Sequence, residues 1–197
     1  MSRLWDKGLP LDDRILRFTA GEDYLLDARL VPYDVRASIA HARMLAAQEL
    51  ISQNDCDAIV EGLEALAADH VDGKWSITLE DEDVHGALES RLRERIGEAG
   101  GRVHLGRSRN DQVLAALRVY LRDAVTELSE LTDAVVAALQ NIADDQGHIE
   151  LPGYTHMQPA MPSTVALWAK GFAAQLADGR AGLERTLARI NLNPLGS

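Results

Sequence analysis

Cysteine is almost missing from this 197-residue chain: Cys56 is the only one, so no internal disulfide can form and the composition fits a reducing compartment. Long apolar runs are missing as well. Ala134 to Leu139 is about the longest, well short of the roughly 20 residues that a membrane-spanning helix needs. The stretch Met1 to Lys7 lacks the apolar segment of a secretory signal. Basic residues are outnumbered by acidic ones, 20 against 31, and the net charge of -11 favours neither nucleic acid nor an anionic membrane as a partner. Also absent are low-complexity tracts, internal repeats and any strand-period alternation long enough to build a sheet. These absences point to a soluble, cytoplasmic chain of the all-α class.

What is present is helical spacing almost throughout. Leu11 to Phe18 and Glu22 to Leu30 read as short helical pieces around Gly21. Pro32 breaks them, and Tyr33 to Leu50 follows with Val35, Ile39, Ala42 and Leu45 at helical spacing. Ser52 or Asp55 can cap the next segment, where Ile59, Leu63 and Leu66 repeat in steps of three and four. A turn at Asp72-Gly73-Lys74 leads through Trp75 to Leu79 as a short extended piece. A further helix runs from about Asp83 to Ile96, ended by Gly97, Gly100 and Gly101.

Between Gly106 and Gly147 there is neither proline nor glycine, and Val113, Leu117, Leu121, Ala124, Leu128, Leu131, Val135, Ala138 and Ile142 advance by three or four residues each time. A helix from Ser108 to about Asp145 would be longer than a small domain is wide. The segment from Pro162 to Leu192 supplies a second long helix through Val165, Trp168, Phe172, Leu176, Leu183, Leu187 and Ile190. Two such helices cannot enclose their own apolar surface, so further helices are expected beside them, from the same chain type or from partner subunits. The domain boundary falls near His104 and Leu105. Residues 1–105 read as a compact helical N-terminal domain, and residues 106–197 as the first long helices of a bundle.

Chemistry concentrates at the start of the long helix, in Gly106-Arg107-Ser108-Arg109-Asn110-Asp111-Gln112-Val113. Ser108 with Asp111 three residues on reads as an N-cap pair. A helix start offers unpaired N–H groups and a partial positive charge, which suit a carboxylate. Arg107 and Arg109 add charge-assisted donors, and Asn110 and Gln112 add amides that donate and accept. Taken alone, the octet reads equally well as an ordinary capped helix with a solvated polar first turn. A second stretch, Pro152-Gly153-Tyr154-Thr155-His156-Met157-Gln158-Pro159-Ala160-Met161-Pro162, reads as a loop, because three prolines and a glycine cannot be helix interior. Pro162 suits the first position of the following helix. His156, near Thr155 and Gln158, can be held at a fixed angle for proton transfer, although a lone turn histidine is more often simply exposed. The third stretch, Glu80-Asp81-Glu82-Asp83-Val84-His85, is most simply a solvated acidic cap. Asp81, Asp83 and His85 alternate as metal ligands can, but no second ligand cluster stands at a recognisable spacing, so a metal site is rejected.

The octet resembles the GRSRNDQ signature of the argininosuccinate lyase family, within the fumarase/aspartase group. The proline-rich stretch is similar to the same family's PGYTHxQxAxP segment, and the acidic stretch to its EDxH region at the rim of the substrate site. The resemblance implies a reversible elimination that releases arginine and fumarate from argininosuccinate, with no cofactor. It implies His156 as the catalytic histidine. Ser108, Arg109, Asn110, Thr155 and Gln158 match positions that hold substrate carboxylates or backbone, and Asp111, Gln112, Asp83 and His85 are counted with them as substrate-binding. It further implies a homotetramer around a central helical bundle, with each site built from more than one chain.

Departures are visible. Where the family has a substrate-contacting serine in an FNxS stretch, this chain reads Phe18-Thr19-Ala20-Gly21, and Leu105 stands for the threonine of HTGRSRND. The ending Asn193-Pro194-Leu195-Gly196-Ser197 resembles an internal PLGS turn of a family more than twice this length. The family's GSSxMPxKxNP loop, whose serine is usually assigned as the base, is not in these residues, so the chain alone is expected to be inactive. Other members of the group, such as adenylosuccinate lyase or fumarase, typically present different residues where SRNDQ stands. A non-catalytic helical scaffold, as in the lens crystallins of the family, is the remaining alternative.

Overall fold

The computed structural model describes residues 12–196. The readings made for Met1 to Lys7, for Leu11 and for Ser197 fall outside the described residues. The chain forms two compact units, one containing the residues up to Tyr120 together with the segment from Asn193, the other spanning Leu121–Leu192.

The first unit begins with α1 (Asp13–Ala20), which starts where Asp12 accepts from the Arg14 N–H. It ends at Gly21, whose φ of 52° and ψ of -126° suit a residue without a side chain. A residue with a side chain would be strained at this backbone position. A short α2 (Asp23–Leu26) and a 3₁₀ turn (Asp27–Leu30) lead into α3 (Val31–Ala47). Pro32 does not interrupt the helical run as expected: it lies in the first turn of α3, where its missing N–H has no helical partner to lose. Ser52 caps α4 (Gln53–Val71) by accepting from the Asp55 N–H at 3.1 Å. The residues from Trp75 to Thr78 belong to no helix or strand. Asp83 caps α5 (Val84–Ile96), accepting from the Gly86 N–H at 2.7 Å, and 3₁₀ turns over Gly97–Arg102 follow. Val31, Val35, Ala42 and Leu45 of α3 are buried with Cys56, Ile59, Leu63 and Leu66 of α4 and Val84, Ala87, Leu88 and Leu92 of α5. The spacing read from the sequence for α3 and α4 is realised here in a core that α5 completes.

The helix α6 (Arg109–Gln146) runs 38 residues without a break and passes from the first unit into the second. The second unit also holds α7 (Val165–Ile190), capped by Thr164, whose hydroxyl accepts from the Leu167 N–H at 3.1 Å. Arg180 of α7 donates to Asp133 of α6 at 3.1 Å. The enclosed positions here are small or polar: Ser129 and Ala143 on α6, Ala169 and Ala173 on α7. Leu128, Leu131, Val135 and Ile142 of the expected seam are exposed, as are Trp168 and Phe172. The two long helices therefore do leave an apolar surface uncovered.

Between them the expected loop is an antiparallel hairpin, β1 (Glu150–Thr155) and β2 (Gln158–Thr164). Pro162 is not the first residue of a helix: it pairs with Pro152 inside the hairpin, and the helix begins at Val165. Prolines are tolerated because a two-stranded ribbon consists of edges, where a missing N–H need not break a ladder. The register shifts between Pro152 and Tyr154, a bulge at which Gly153 lies against the Met161 carbonyl with no room for a Cβ. The fold remains helical, with seven α-helices and this one ribbon among the described residues. No helix among them is long and apolar enough to cross a membrane.

Candidate active site

The octet lies where the sequence puts it, at the entry to α6. The Ser108 N–H donates to Asp111 Oδ2 at 2.9 Å, and the Asp111 N–H reaches back to Ser108 Oγ at 3.4 Å. This reciprocal pair satisfies two groups that a helix start otherwise leaves open. The other Asp111 oxygen accepts from the Gly196 N–H at 3.0 Å, which belongs to the same unit. These bonds, the Gly196 N–H first among them, hold the Asp111 carboxyl below the ordinary range. Both of its oxygens are thus engaged with backbone of this chain. Arg109 donates to Asp83 Oδ1 at 3.1 Å, so the octet and the acidic stretch meet in one ion pair. Ser108 and Asn110 are exposed, and Gln112 is buried, 3% accessible, with its Oε1 unpaired among the described residues.

The start of α5 is tied down from three directions. Asp83 bonds both the Gly86 N–H and Arg109. The Val84 N–H donates to Asp27 Oδ2 at 3.1 Å, and burial pushes the Asp27 carboxyl up. His85 Nδ1 lies 2.8 Å from Asp34 Oδ2, with both side chains 1% accessible. Ser38 donates to the second Asp34 oxygen at 3.0 Å, and Arg107 reaches Ser38 at 3.5 Å and His104 Nδ1 at 3.1 Å. Burial works against an ionised Asp34, yet hydrogen bonds from His85 and Ser38 hold the carboxyl below its usual range. Burial drives His104 down to about 3 and lowers Arg107 as well. His104 Nε2 and Arg107 Nε are buried without a partner among the described residues.

Asp27, Asp34, Ser38 and His104 are not singled out by the sequence reading. A signal for two of them exists. Asp34 and Ser38 interrupt the apolar spacing Val31, Val35, Ala42, Leu45, and polar side chains on a core-facing stripe need partners.

In the second unit Thr155 pairs with Gln158, so His156 and Met157 are the two central residues of a tight turn. Their φ values are 50° and 64°, the left-handed region that the primed hairpin turns require and that glycine or asparagine usually fills. Thr155 Oγ1 lies 3.2 Å from His156 Nδ1. Thr155, His156 and Gln158 are all exposed, and Met157 is 91% accessible. Strained backbone at a titratable side chain is a feature of functional sites. The first unit thus gathers Asp83, His85 and the residues from Ser108 to Gln112. Thr155, His156 and Gln158 belong to the second.

A family model described as a lyase matches residues 13–197. An argininosuccinate lyase of Sorangium cellulosum is 47% identical over 98% of this chain and 45% of its own length. One of Xylella fastidiosa is 42% identical over 98% of this chain and 44% of its own. Among solved structures, an EDDS lyase variant with bound fumarate superposes with a TM-score of 0.75 at 27% identity, over 96% of this chain and 37% of that one. A fumarate lyase from Mesorhizobium sp. BNC1, at 21% identity, shares the fold with a TM-score of 0.70 over 94% of this chain and 44% of that one. The chain spans less than half the length of the curated relatives it matches. The motifs of α5, α6 and the hairpin lie within the matched residues, and the chain belongs to the lyase family of the fumarase/aspartase superfamily, similar in sequence to its argininosuccinate lyases.

Proposed function

We propose that this chain supplies part of the active site of an argininosuccinate lyase, a carbon–nitrogen lyase of arginine biosynthesis that works in the cytoplasm as a homotetramer. The observation that carries the reading is the octet at the entry to α6, with Arg109 held against Asp83 at 3.1 Å. A base removes the proton from the carbon beside a substrate carboxylate, and convergent donors stabilise the resulting aci-carboxylate. The carbon–nitrogen bond breaks with its electron pair going to nitrogen, and an acid protonates the departing guanidinium nitrogen. Ser108, Arg109, Asn110, Gln112, Thr155 and Gln158 hold the substrate in this reading, with Asp111, Asp83 and His85 at its rim, and His156 moves a proton. Residues 1–105 serve as the N-terminal lyase domain and 106–197 as the opening of the bundle.

Fumarate release from argininosuccinate tests the reading, using the purified chain with and without the separately expressed C-terminal remainder of the Sorangium relative. Activity only in the mixture, abolished by His156→Ala, is the expected result. Near-normal turnover with His156→Ala removes that residue from the chemistry. Activity from the chain alone overturns the mechanism, since every reacting group would then lie within these residues. Stable association of the two pieces without fumarate release favours the scaffold reading instead.

A further inference from the structure

Two histidines of the first unit present the same ring nitrogen to opposite chemistry. His85 Nδ1 faces Asp34 Oδ2 at 2.8 Å, and His104 Nδ1 faces an Arg107 guanidinium nitrogen at 3.1 Å. An ionised carboxylate only accepts, so His85 must carry a proton on Nδ1. A guanidinium only donates, so His104 must keep its lone pair on Nδ1 and carry its proton on Nε2. The first setting is enforced by burial, because Asp34 is 0% and His85 1% accessible and water cannot replace either partner. Ser38 links them, donating to Asp34 and lying 3.5 Å from Arg107.

A fully buried carboxylate on α3 is a poor way to gain stability, since burying charge costs several kcal/mol before pairing recovers it. Its geometry is instead that of an orienting group. The lowered pKa of the Asp34 carboxyl agrees with its being ionised. We propose that Asp34 is a positioning residue that fixes the ring orientation and tautomer of His85 at the start of α5, the turn whose Asp83 meets Arg109 of the octet. This rests on the reading of His85 as part of the lyase site. The start of α5 supports it, because Asp83, two residues before His85, is bonded to Arg109 of the octet. A tilt of that turn would move both groups together.

The test has two parts. In the intact chain labelled with ¹⁵N-histidine, long-range correlation spectra should show His85 protonated on Nδ1 and His104 on Nε2, each serving as the other's control. Asp34→Asn should shift His85 toward the Nε2–H tautomer, because an amide can donate where a carboxylate cannot. His85 found with its proton on Nε2 alone in the unaltered chain overturns the proposal, even if Asp34→Asn fails to fold.

The second part uses the mixture with the relative's C-terminal remainder. Asp34→Asn should lower kcat by roughly 10-fold or more with little change in KM, since removing the carboxylate behind a histidine costs from about 10-fold to about 10⁴-fold. It should add little to the loss already caused by His85→Gln, since both changes break one unit. An unchanged kcat, or losses that multiply, overturns the positioning role while the tautomer result stands. A mixture with no activity even for the unaltered chain counts against the lyase reading, and the spectra of the chain then decide the Asp34–His85 assignment by themselves.

Discussion

The two units each carry a histidine that the sequence marks, and they hold it in opposite ways. His85 is enclosed between helices, its ring fixed by Asp34, its turn tied to Asp27 and Arg109. His156 is exposed on a two-residue turn, fixed by a backbone torsion of 50° and a single hydroxyl contact from Thr155. In the first unit a packed core does the positioning. In the second, α6 and α7 leave Leu131, Val135 and Trp168 at least half exposed. A site group can therefore be held by its surroundings or by its own main chain, and the two are broken by different changes.

The largest expected difference between the units lies in their apolar residues. Leu92 is fully buried, and its Cδ1 fills the space that a Cβ on Gly62 would need. Leu92→Ala should destabilise the chain by about 2–5 kcal/mol through lost transfer energy and the cavity left behind. Leu131 is 57% exposed, and Leu131→Ala should stay within about 0.5 kcal/mol. Urea unfolding of the purified chain reads both, and equal losses would abolish the contrast.

Acid should weaken the first unit next. Burial takes His104 from 6.5 to about 3, so between these values the unfolded chain binds a proton that the folded chain refuses. Stability then falls as pH drops, by about 2 kcal/mol between pH 7 and pH 5 for one such group. Asp34 acts at lower pH in the same sense. Its folded pKa lies below 3.8, so its contribution is present above that value and lost as pH falls through the folded one. His104→Gln should flatten the dependence of the urea midpoint between pH 7 and pH 5, and an unchanged slope would mean that His104 is not the group responsible.

Legibility in the sequence follows the same division. The faces of α3 and α4 were readable because each helix repeats apolar residues against a core made by its own chain. The long run before Gly147 was readable as a helix, since nothing interrupts it, but the seam through Leu128 and Leu131 does not mark the enclosed face. That face is lined by Ser129 and Ala143, which carry little apolar signal. The hairpin was missed because three prolines are strong evidence against a strand, and only a ribbon made of edges escapes that rule. The octet, the acidic stretch and His156 were visible as motifs. Asp34 was not, because its role depends on a histidine 51 residues away.

A smaller effect separates the two jobs of Asp83, which caps α5 and faces Arg109. Asp83→Ala should cost about 1–2 kcal/mol, chiefly from the lost cap. Asp83→Asn keeps a capping oxygen and should lose only the half-exposed ion pair, worth at most about 1 kcal/mol. Calorimetry of both variants would sharpen the comparison, and equal losses would mean that the cap contributes nothing.

The smallest change addresses the main-chain device directly. Met157 sits at φ 64°, where an L side chain crowds its own carbonyl at a cost of roughly 1–2 kcal/mol. Glycine removes that crowding but brings back about 0.5–1 kcal/mol of unfolded-chain entropy. Met157→Gly should therefore stabilise the hairpin by about 0.5–1 kcal/mol, seen as slower hydrogen exchange in the ladder formed by Thr155 and Gln158. Its side chain is 91% exposed, so lost packing cannot offset the gain. Faster exchange instead would mean that the entropy glycine returns to the unfolded chain outweighs the relieved crowding, and that the turn at His156 and Met157 stores little strain.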